Sequence, residues 1–341
     1  LKLLQLSFPG NRWNNWAALL GTGFFWLHTA NAETINYVIA RSDSQSTLLI
    51  ILSFVIYFYS AIARQYYLYL LPMIVGFLIK ETALMIAPLL LVFYLLHKKW
   101  SSEKPNRPVV GIVAAFCIVV ILFWIYKKMI PPTWDSGSSD PFMYLCTQAF
   151  VIVHYLFTFI LPVNLSADTD WTLVSSIFDT RVLAGVTIIA TLIYFAFRLA
   201  RKQETKMAAF GIFWFFIALA PTSSVMPFAE VLNDHRVFFP FIGLILVVMN
   251  GAVLLIKKYE LNKNGAVIKW AVLSVAFILM IGHAAGTRKR CEVWNSSESL
   301  WKDATEKSPN NGRAWMNYGL ALMARNNLDS AVMLFERCLS L

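Results

Sequence analysis

The sequence predicts an all-α protein with two parts, a polytopic helical membrane domain at residues 1–286 and the start of a helical repeat domain at residues 287–341. Of the 341 residues, 58% are hydrophobic and only 14% are charged, and the mean hydropathy is +0.60. Soluble domains are about one quarter charged, which excludes a soluble globular protein. The apolar residues form runs separated by short polar loops, which is typical of many membrane spans. Beyond residue 286 the composition becomes polar.

The runs predicted to cross the membrane are, in chain order, residues 13–29, 47–63, 66–79, 82–96, 109–126, 182–198, 207–220, 237–256 and 268–284. Several are shorter than the ~20 residues that a perpendicular helix needs to cross ~30 Å of hydrocarbon. Two of the short runs flank Lys80 and Glu81. We therefore expect these charges slightly below the membrane surface, beside a water-filled cavity, because charges at that depth are costly elsewhere.

A further apolar stretch at residues 142–161 decides which loops share a side of the membrane. Cytoplasmic loops carry an excess of Lys and Arg. If this stretch does not cross, the basic loops at residues 98–107, 198–206 and 257–269 all lie on the cytoplasmic side; if it crosses, that bias disappears. We therefore predict a re-entrant or surface-lying segment on the external face. Most acidic loop residues then face the periplasm or lumen, where we expect any chemistry.

The net charge of +10 does not predict a nucleic-acid partner. The Lys and Arg residues lie mainly at the ends of the apolar runs, where they set the topology and do not form one basic face. A transporter is also disfavoured, because transporters carry polar residues within their spans. Here the polar clusters lie in the loops.

The polar tail contains a tetratricopeptide-repeat pattern. Trp315, Gly319, Ala331 and Phe335 have the spacing of the large and small residues in that repeat. The segment before them resembles the second helix of an earlier, degenerate repeat. An ordinary amphipathic hairpin is the alternative. Because about three repeats are usually needed for stability, the pattern predicts further repeats beyond Leu341.

The first external loop and a Lys-Glu turn supply the first charged candidates. Glu33, Arg41 and Asp43 lie between two predicted spans, and Lys80 and Glu81 join two short ones. Interfacial ion pairs that cap helices would explain the first group, and a salt-bridged turn would explain the second. For the Lys-Glu pair we favour function, since charges at membrane depth usually face a functional cavity.

A second group follows the helix-breaking prolines of the last external loop, at Glu230, Asp234, His235 and Arg236. A guanidinium can bind a phosphate through two parallel hydrogen bonds, so Arg236 is a candidate ligand for a lipid phosphate. His235 could assist it or cap a helix.

Two further carboxylates, Asp168 and Asp170, come just after the apolar stretch at residues 142–161. They could hold a divalent cation, the only cofactor that the sequence suggests, or sugar hydroxyls. Asx-turn chemistry explains them about as well.

Taken in order, these segments resemble a known family. They read HTANAETINYVIARSDS, GFLIKETAL, LPVNLSADTDW and PTSSVMPFAEVLNDHR, followed by the repeat-like tail. Together they resemble the membrane domain of the transmembrane and tetratricopeptide repeat-containing O-mannosyltransferases and their bacterial relatives, which belong to the GT-C superfamily. The resemblance implies a GT-C-type membrane domain in the bacterial inner membrane or the endoplasmic reticulum. It also implies inverting transfer of a mannose-like sugar from a polyprenyl or dolichyl phosphate to a protein hydroxyl on the periplasmic or lumenal face.

The positions that match the family's motifs are Glu33, Arg41, Asp43, Lys80, Glu81 and Arg236. The residues expected to bind the donor phosphate are Arg41, Lys80, His235 and Arg236. Those expected to support the site are Glu81, Asp168, Asp170, Glu230 and Asp234. Glu33 and Asp43 are secondary candidates for the catalytic carboxylate, because the family's acidic catalytic motif is expected upstream of Leu1. The chain departs from the family where His235 separates the acidic residue from Arg236.

Two other functions fit the same features. The chain could be a non-catalytic membrane scaffold whose repeat domain docks protein partners, since a fold does not establish a function. It could also be a ligase or polymerase of lipid-linked oligosaccharides, which would share the donor site but use a glycan acceptor. In the glycosyltransferase, the repeat domain is expected on the periplasmic or lumenal side, where it presents protein acceptors.

Overall fold

The structure, a computed structural model, describes residues 1–98, 108–129, 140–223, 228, 230–260 and 265–341. All regular structure within these ranges is helical. The α-helices are α1 (Lys2–Ser7), α2 (Trp13–Leu27), α3 (Asn31–Asn36), α4 (Arg41–Tyr59), α5 (Ala61–Gln65), α6 (Leu71–Ile79), α7 (Ile86–Leu96), α8 (Pro108–Met129), α9 (Pro141–Ile160), α10 (Thr180–Leu199), α11 (Lys206–Leu219), α12 (Phe238–Tyr259), α13 (Gly265–Val293), α14 (Ser297–Lys307), α15 (Gly312–Ala324) and α16 (Leu328–Leu339). Short 3₁₀ turns lie at Leu68–Leu70, Glu81–Met85, Gln203–Thr205 and Asp234–Val237.

The helices form a bundle in which α11 and α12 pack most closely. At the crossing, a Cβ atom added to Gly211 would lie 2.4 Å from the carbonyl oxygen of Gly243. Only glycine permits this approach of two helix backbones. Around the crossing, rings from α4, α7 and α11 form one continuous aromatic core that includes Phe54, Phe93 and Trp214.

One end of the bundle, here called the basic end, gathers the loops predicted to face the cytoplasm. Arg12, just before α2, forms an ion pair with Glu260, just after α12. Lys257 on α12 binds Glu204 between α10 and α11, with 2.5 Å between Nζ and Oε1. The parts of the predicted basic loops at residues 99–107 and 261–264 lie outside the described residues. The loops that are described meet at one end, as the topology prediction requires.

The opposite end, here called the site end, holds α3, the first turns of α4 and α12, and the last turns of α2 and α13. Thr287 on α13 donates a hydrogen bond to the carbonyl oxygen of Leu27 on α2, at 2.8 Å. Most of the candidate site residues lie at this end.

Helix α9 covers the stretch at residues 142–161. It is one of five helices in the described part of the chain that are long and apolar enough to cross a membrane. Its hydrogen bonds, from the first turn to the last, connect it to residues of the site end, namely Thr222, Val231, Asn233 and His28. The helix before it also reaches that end, since the ring of Tyr126 on α8 contacts Phe77 near Lys80. Both ends of α9 therefore lie near the site end, and whether the stretch crosses the membrane or lies along its external face stays a prediction.

Helices α4 and α13 extend furthest beyond the apolar runs that predict them. Helix α4 begins at Arg41, where the sequence predicts the span from residue 47. Its polar first turn carries Asp43, and an acidic side chain is favourable at a helix N-terminus. Helix α13 continues to Val293, well past residue 284. The predicted domain boundary after residue 286 thus falls within a continuous helix, and the division into two domains stays a prediction.

Helices α14 to α16 form the tail. Ser296 and Ser299 form a reciprocal capping box at the start of α14. Between α15 and α16, a Cβ atom on Gly319 would lie 2.6 Å from the Phe335 ring, so the small residue permits the close approach that the repeat pattern requires. Ala331 is buried in the same contact region. Whether these helices begin a tetratricopeptide solenoid stays a prediction.

Candidate functional site

The centre of the site end is a buried pair formed by Glu33 and His235. Glu33 lies on α3 and is only 3% exposed. Its Oε1 atom lies 2.9 Å from Nδ1 of His235. The neighbouring Thr34 hydroxyl donates to the carbonyl oxygen of His235 at 3.5 Å, so α3 is attached at two points to the turn that precedes α12. His235 thus contacts a carboxyl group in this structure, where the sequence predicts a phosphate.

Charges from several elements converge on Glu33. Burial raises its pKa to about 8, while the charges of Arg290 and Arg236 lower it and those of Asp168 and Asp43 raise it. The effect of burial on the pKa exceeds that of the neighbouring charges, because a carboxylate loses its hydration in the interior. The Glu33 carboxyl is therefore mostly protonated at pH 7.

The raised pKa of Glu33 predicts a pH dependence of stability. Between the ordinary value of 4.5 and the folded value of about 8, unfolding releases a proton from this group. Its stabilising contribution is complete below about pH 4.5 and is lost as the pH rises through about 8. Glu33→Gln, a neutral mimic of the protonated acid, should reduce the fall in melting temperature between pH 5.5 and 8.5, measured by tryptophan fluorescence in detergent. The matched control is Glu292→Gln on exposed α13 surface. Equal slopes for wild type and Glu33→Gln would contradict the assignment.

A second pair joins α4 to the Lys-Glu turn. Lys80 Nζ lies 2.7 Å from Oδ1 of Asp43, and both side chains are largely buried. The other carboxylate oxygen of Asp43, Oδ2, is buried and has no hydrogen-bond partner among the described residues. Two charged residues close to this pair in the sequence are less buried and unpaired among the described residues. Arg41 is exposed, Glu81 is half-buried, and neither forms an ion pair within the described ranges.

Arg236 is held by groups from two segments, helix α9 and the loop before α12. It is 8% exposed. Its guanidinium lies 5.0 Å from the centre of the Phe228 ring and 3.4 Å from the hydroxyl of Tyr144 on α9. It donates to the backbone carbonyl of Glu230 at 3.1 Å, while the Glu230 carboxylate stands further off at 3.8 Å. The Glu230 carboxylate, the strongest acceptor near Arg236, thus lies beyond hydrogen-bond distance of it.

The carboxylates at Asp168 and Asp170 bind the tail. Both oxygens of Asp168 accept hydrogen bonds from Arg313 on α15, at 2.6 and 2.8 Å. The side chain of Asp170 accepts from the backbone N–H of Asn310 at 3.3 Å. Asp168 therefore serves as an anchor for α15, where the sequence suggests a cation or sugar ligand. Nearby, Asp234 accepts a hydrogen bond from the backbone N–H of Ser166, at 3.1 Å.

Two arginines of this site were not predicted. Arg290 on α13 is 5% exposed and binds Asp303 on α14 at 2.5 Å, and its Nη2 atom has no partner among the described residues. Arg313 lies in the tail and contacts both Asp168 and Glu230. Nothing in the local sequence pattern distinguishes these arginines from the other basic residues of the tail, so only the packing of α13 and α15 reveals them.

An apolar groove of about 750 Å³ runs along the outside of the bundle beside the site. Helices α2 and α4 form its walls, and α11 and α12 form its floor. One end is lined by Asn31 on α3 and by Ser44 and Gln45 on α4, and the other reaches Lys2 and Tyr59. The polar end therefore belongs to the same two helices that carry Glu33 and Asp43.

The fold is that of an all-helical bundle with a helical tail docked on its site end, and its long apolar helices are compatible with a multi-pass membrane protein. The chain is 26% identical over 195 residues to Protein O-mannosyl-transferase TMTC3 of Mus musculus, which is 52% of this chain and 20% of that protein. It is 22% identical over 244 residues to Protein O-mannosyl-transferase TMTC1 of Mus musculus, covering 67% of this chain and 25% of that protein. The human TMTC1 is 23% identical over 208 residues. These values show a distant relationship.

The chain spans only a fifth to a quarter of the length of these relatives. No protein-family model matches it. No solved structure matches it either.

Proposed function

We propose that this chain is the membrane part of a glycosyltransferase. It would move a mannose-like sugar from a polyprenyl or dolichyl phosphate to a protein hydroxyl on the periplasmic or lumenal face. The observation that carries the proposal is the apolar groove with its polar end on α3 and α4, the helices that present Glu33 and Asp43. Such a groove suits a long isoprenoid chain whose phosphate lies at the polar end of the groove. The distant similarity to proteins named O-mannosyl-transferases supports the reaction class.

The reaction requires that the acceptor hydroxyl attack the anomeric carbon of the sugar. The bond from that carbon to the phosphate oxygen breaks, and the polyprenyl phosphate leaves with its negative charge. Cations near the leaving oxygens stabilise this charge as it develops. Arg236, Lys80 and the exposed Arg41 are the cations that we assign to this role.

A carboxylate must accept the proton of the attacking hydroxyl. Asp43 suits this role better than Glu33. It forms an ion pair with Lys80, and its Oδ2, like Oε2 of Glu33, has no hydrogen-bond partner in the described part of the chain. Glu33, by contrast, is mostly protonated at neutral pH because burial raises its pKa to about 8. In this proposal Glu33 supports the site through its hydrogen bond to His235, and Asp43 faces the acceptor.

The proposal is tested with the full-length protein in lipid nanodiscs, using dolichyl phosphate mannose as donor. We expect mannose to appear on serine or threonine residues of an acceptor peptide library, detected by mass spectrometry, together with released dolichyl phosphate. Turnover that requires a glycan acceptor would instead favour an oligosaccharide ligase or polymerase. If the protein captures peptides through its tail but neither binds nor consumes the donor, it is a scaffold and the proposal is wrong.

A further inference from the structure

Arg313 connects the tail to the charged loops of the membrane domain. It lies in the first turn of α15, and its Nε and Nη2 atoms bind the two oxygens of Asp168. Its third nitrogen, Nη1, donates to Oε1 of Glu230 at 2.9 Å. A guanidinium that binds carboxylates through several nitrogens fixes their orientation as well as their distance.

Glu230 therefore stands between two guanidinium groups. Its Oε1 faces Arg313 at 2.9 Å, whereas its Oε2 lies 3.8 Å from Arg236. Burial alone would raise the pKa of the Glu230 carboxyl, but the hydrogen bond and charge of Arg313 outweigh burial and lower the pKa. The Glu230 carboxylate is thus bound mainly to Arg313 of the tail.

This geometry has a consequence for Arg236. A carboxylate in full bidentate contact with a guanidinium occupies the nitrogens that would bind a phosphate. As long as Arg313 holds Glu230, the contact with Arg236 stays long. If the tail releases Glu230, its carboxylate can rotate onto Arg236 and neutralise it.

We propose that Arg313 is a positioning residue that keeps Arg236 available for the donor phosphate by holding the Glu230 carboxylate away from it. The role of Arg236 rests on the proposed function, whereas the exchange of Glu230 between two arginines does not. The tail is then part of the donor site as well as a surface that presents acceptors. Detachment of α15 would let Glu230 neutralise Arg236, and the donor phosphate would then bind less tightly.

Two readouts on the full-length protein in nanodiscs test this inference. The first is the rate at which phenylglyoxal modifies Arg236, measured by mass spectrometry of chymotryptic peptides, and it requires no enzymatic activity. Arg313→Ala should slow this modification by about threefold or more, because Glu230 now covers Arg236. The second is the KM for dolichyl phosphate mannose, which should rise by about tenfold with a smaller change in kcat.

The double variant Arg313→Ala/Glu230→Gln separates positioning from simple docking. Without the competing carboxylate, both the modification rate and the KM should return close to wild-type values. The matched control is Arg325→Ala, which breaks the ion pair with Glu298 on the same tail.

The inference is overturned if Arg313→Ala leaves the modification of Arg236 unchanged, or if the double variant is not restored. The second result would mean that Arg313 acts only by docking the tail. If wild type transfers no sugar but the modification rates follow the expected order, the positioning stands and the proposed reaction fails.

Discussion

Replacing Arg236 by alanine is expected to reduce sugar transfer by about 100-fold or more, the loss typical of removing one donor that stabilises a developing negative charge. The protein should keep its fold, because the groups around Arg236 retain other partners. Glu230 remains bound to Arg313 at 2.9 Å, and the hydroxyl of Tyr144 still donates to the carbonyl oxygen of Thr222. No carboxylate is therefore left buried and unpaired by the substitution.

The measurement is the initial rate of mannose transfer from dolichyl phosphate mannose, with the melting temperature recorded for each variant. Arg236→Lys keeps the charge but loses the planar fork, so we expect it to lie between wild type and Arg236→Ala. The matched control is Arg181→Ala, an exposed arginine at the start of α10 whose partner is Asp179 at 2.7 Å. Undiminished transfer by Arg236→Ala would show that another group binds the phosphate.

The sequence predicts the positions of the long helices well, and the reason is physical. A span must present apolar side chains continuously to lipid, so its centre is visible in composition alone. Its ends are not, because a helix continues into polar residues when they suit its termini. Helix α4 gains a first turn with Asp43 in this way, and α13 gains the turns that carry Arg290.

The pairing of the charged residues could not be predicted from the sequence. Glu33 and His235 are 202 positions apart, and Asp168 and Arg313 are 145 positions apart. No spacing rule connects residues on separate elements at such distances. The sequence identifies the loops that carry charge, but which charges neutralise one another depends on how α3, α9 and α15 pack at the site end.

Asp168 illustrates the difference most clearly. Two carboxylates two residues apart suit a cation or a sugar equally well when their partners are unknown. The structure supplies a guanidinium from α15 in contact with both oxygens of Asp168. The sequence assigns the tail to partner binding and Asp168 to the membrane domain. In the structure, Arg313 of the tail determines the environment of the Asp168 carboxylate.

The apolar groove provides the second large expected effect. Ile51 on α4 lines the groove and is 38% exposed. Ile51→Trp should fill the space that we assign to the isoprenoid chain. Lipid tails solvate that chain as well as the groove does, so the groove contributes alignment and little hydrophobic free energy. Blocking it should misplace the phosphate and lower kcat/KM by about 10–100-fold, the range that small displacements of a reacting group cost.

A donor with a short chain distinguishes misalignment of the isoprenoid chain from a general disturbance of the helix bundle. Ile51 lies about 9 Å along α4 from Gln45 at the polar end of the groove. Dimethylallyl phosphate mannose has a single isoprene unit, which is too short to span that distance, so Ile51→Trp should transfer from this donor at the wild-type rate. Leu95→Trp is the matched control, because Leu95 is 64% exposed on α7 and does not line the groove. Equal losses with the long and short donors would mean that the substitution disturbs the bundle. Wild-type transfer from the long donor by Ile51→Trp would mean that the isoprenoid chain lies elsewhere, and the groove would then no longer support the proposed reaction.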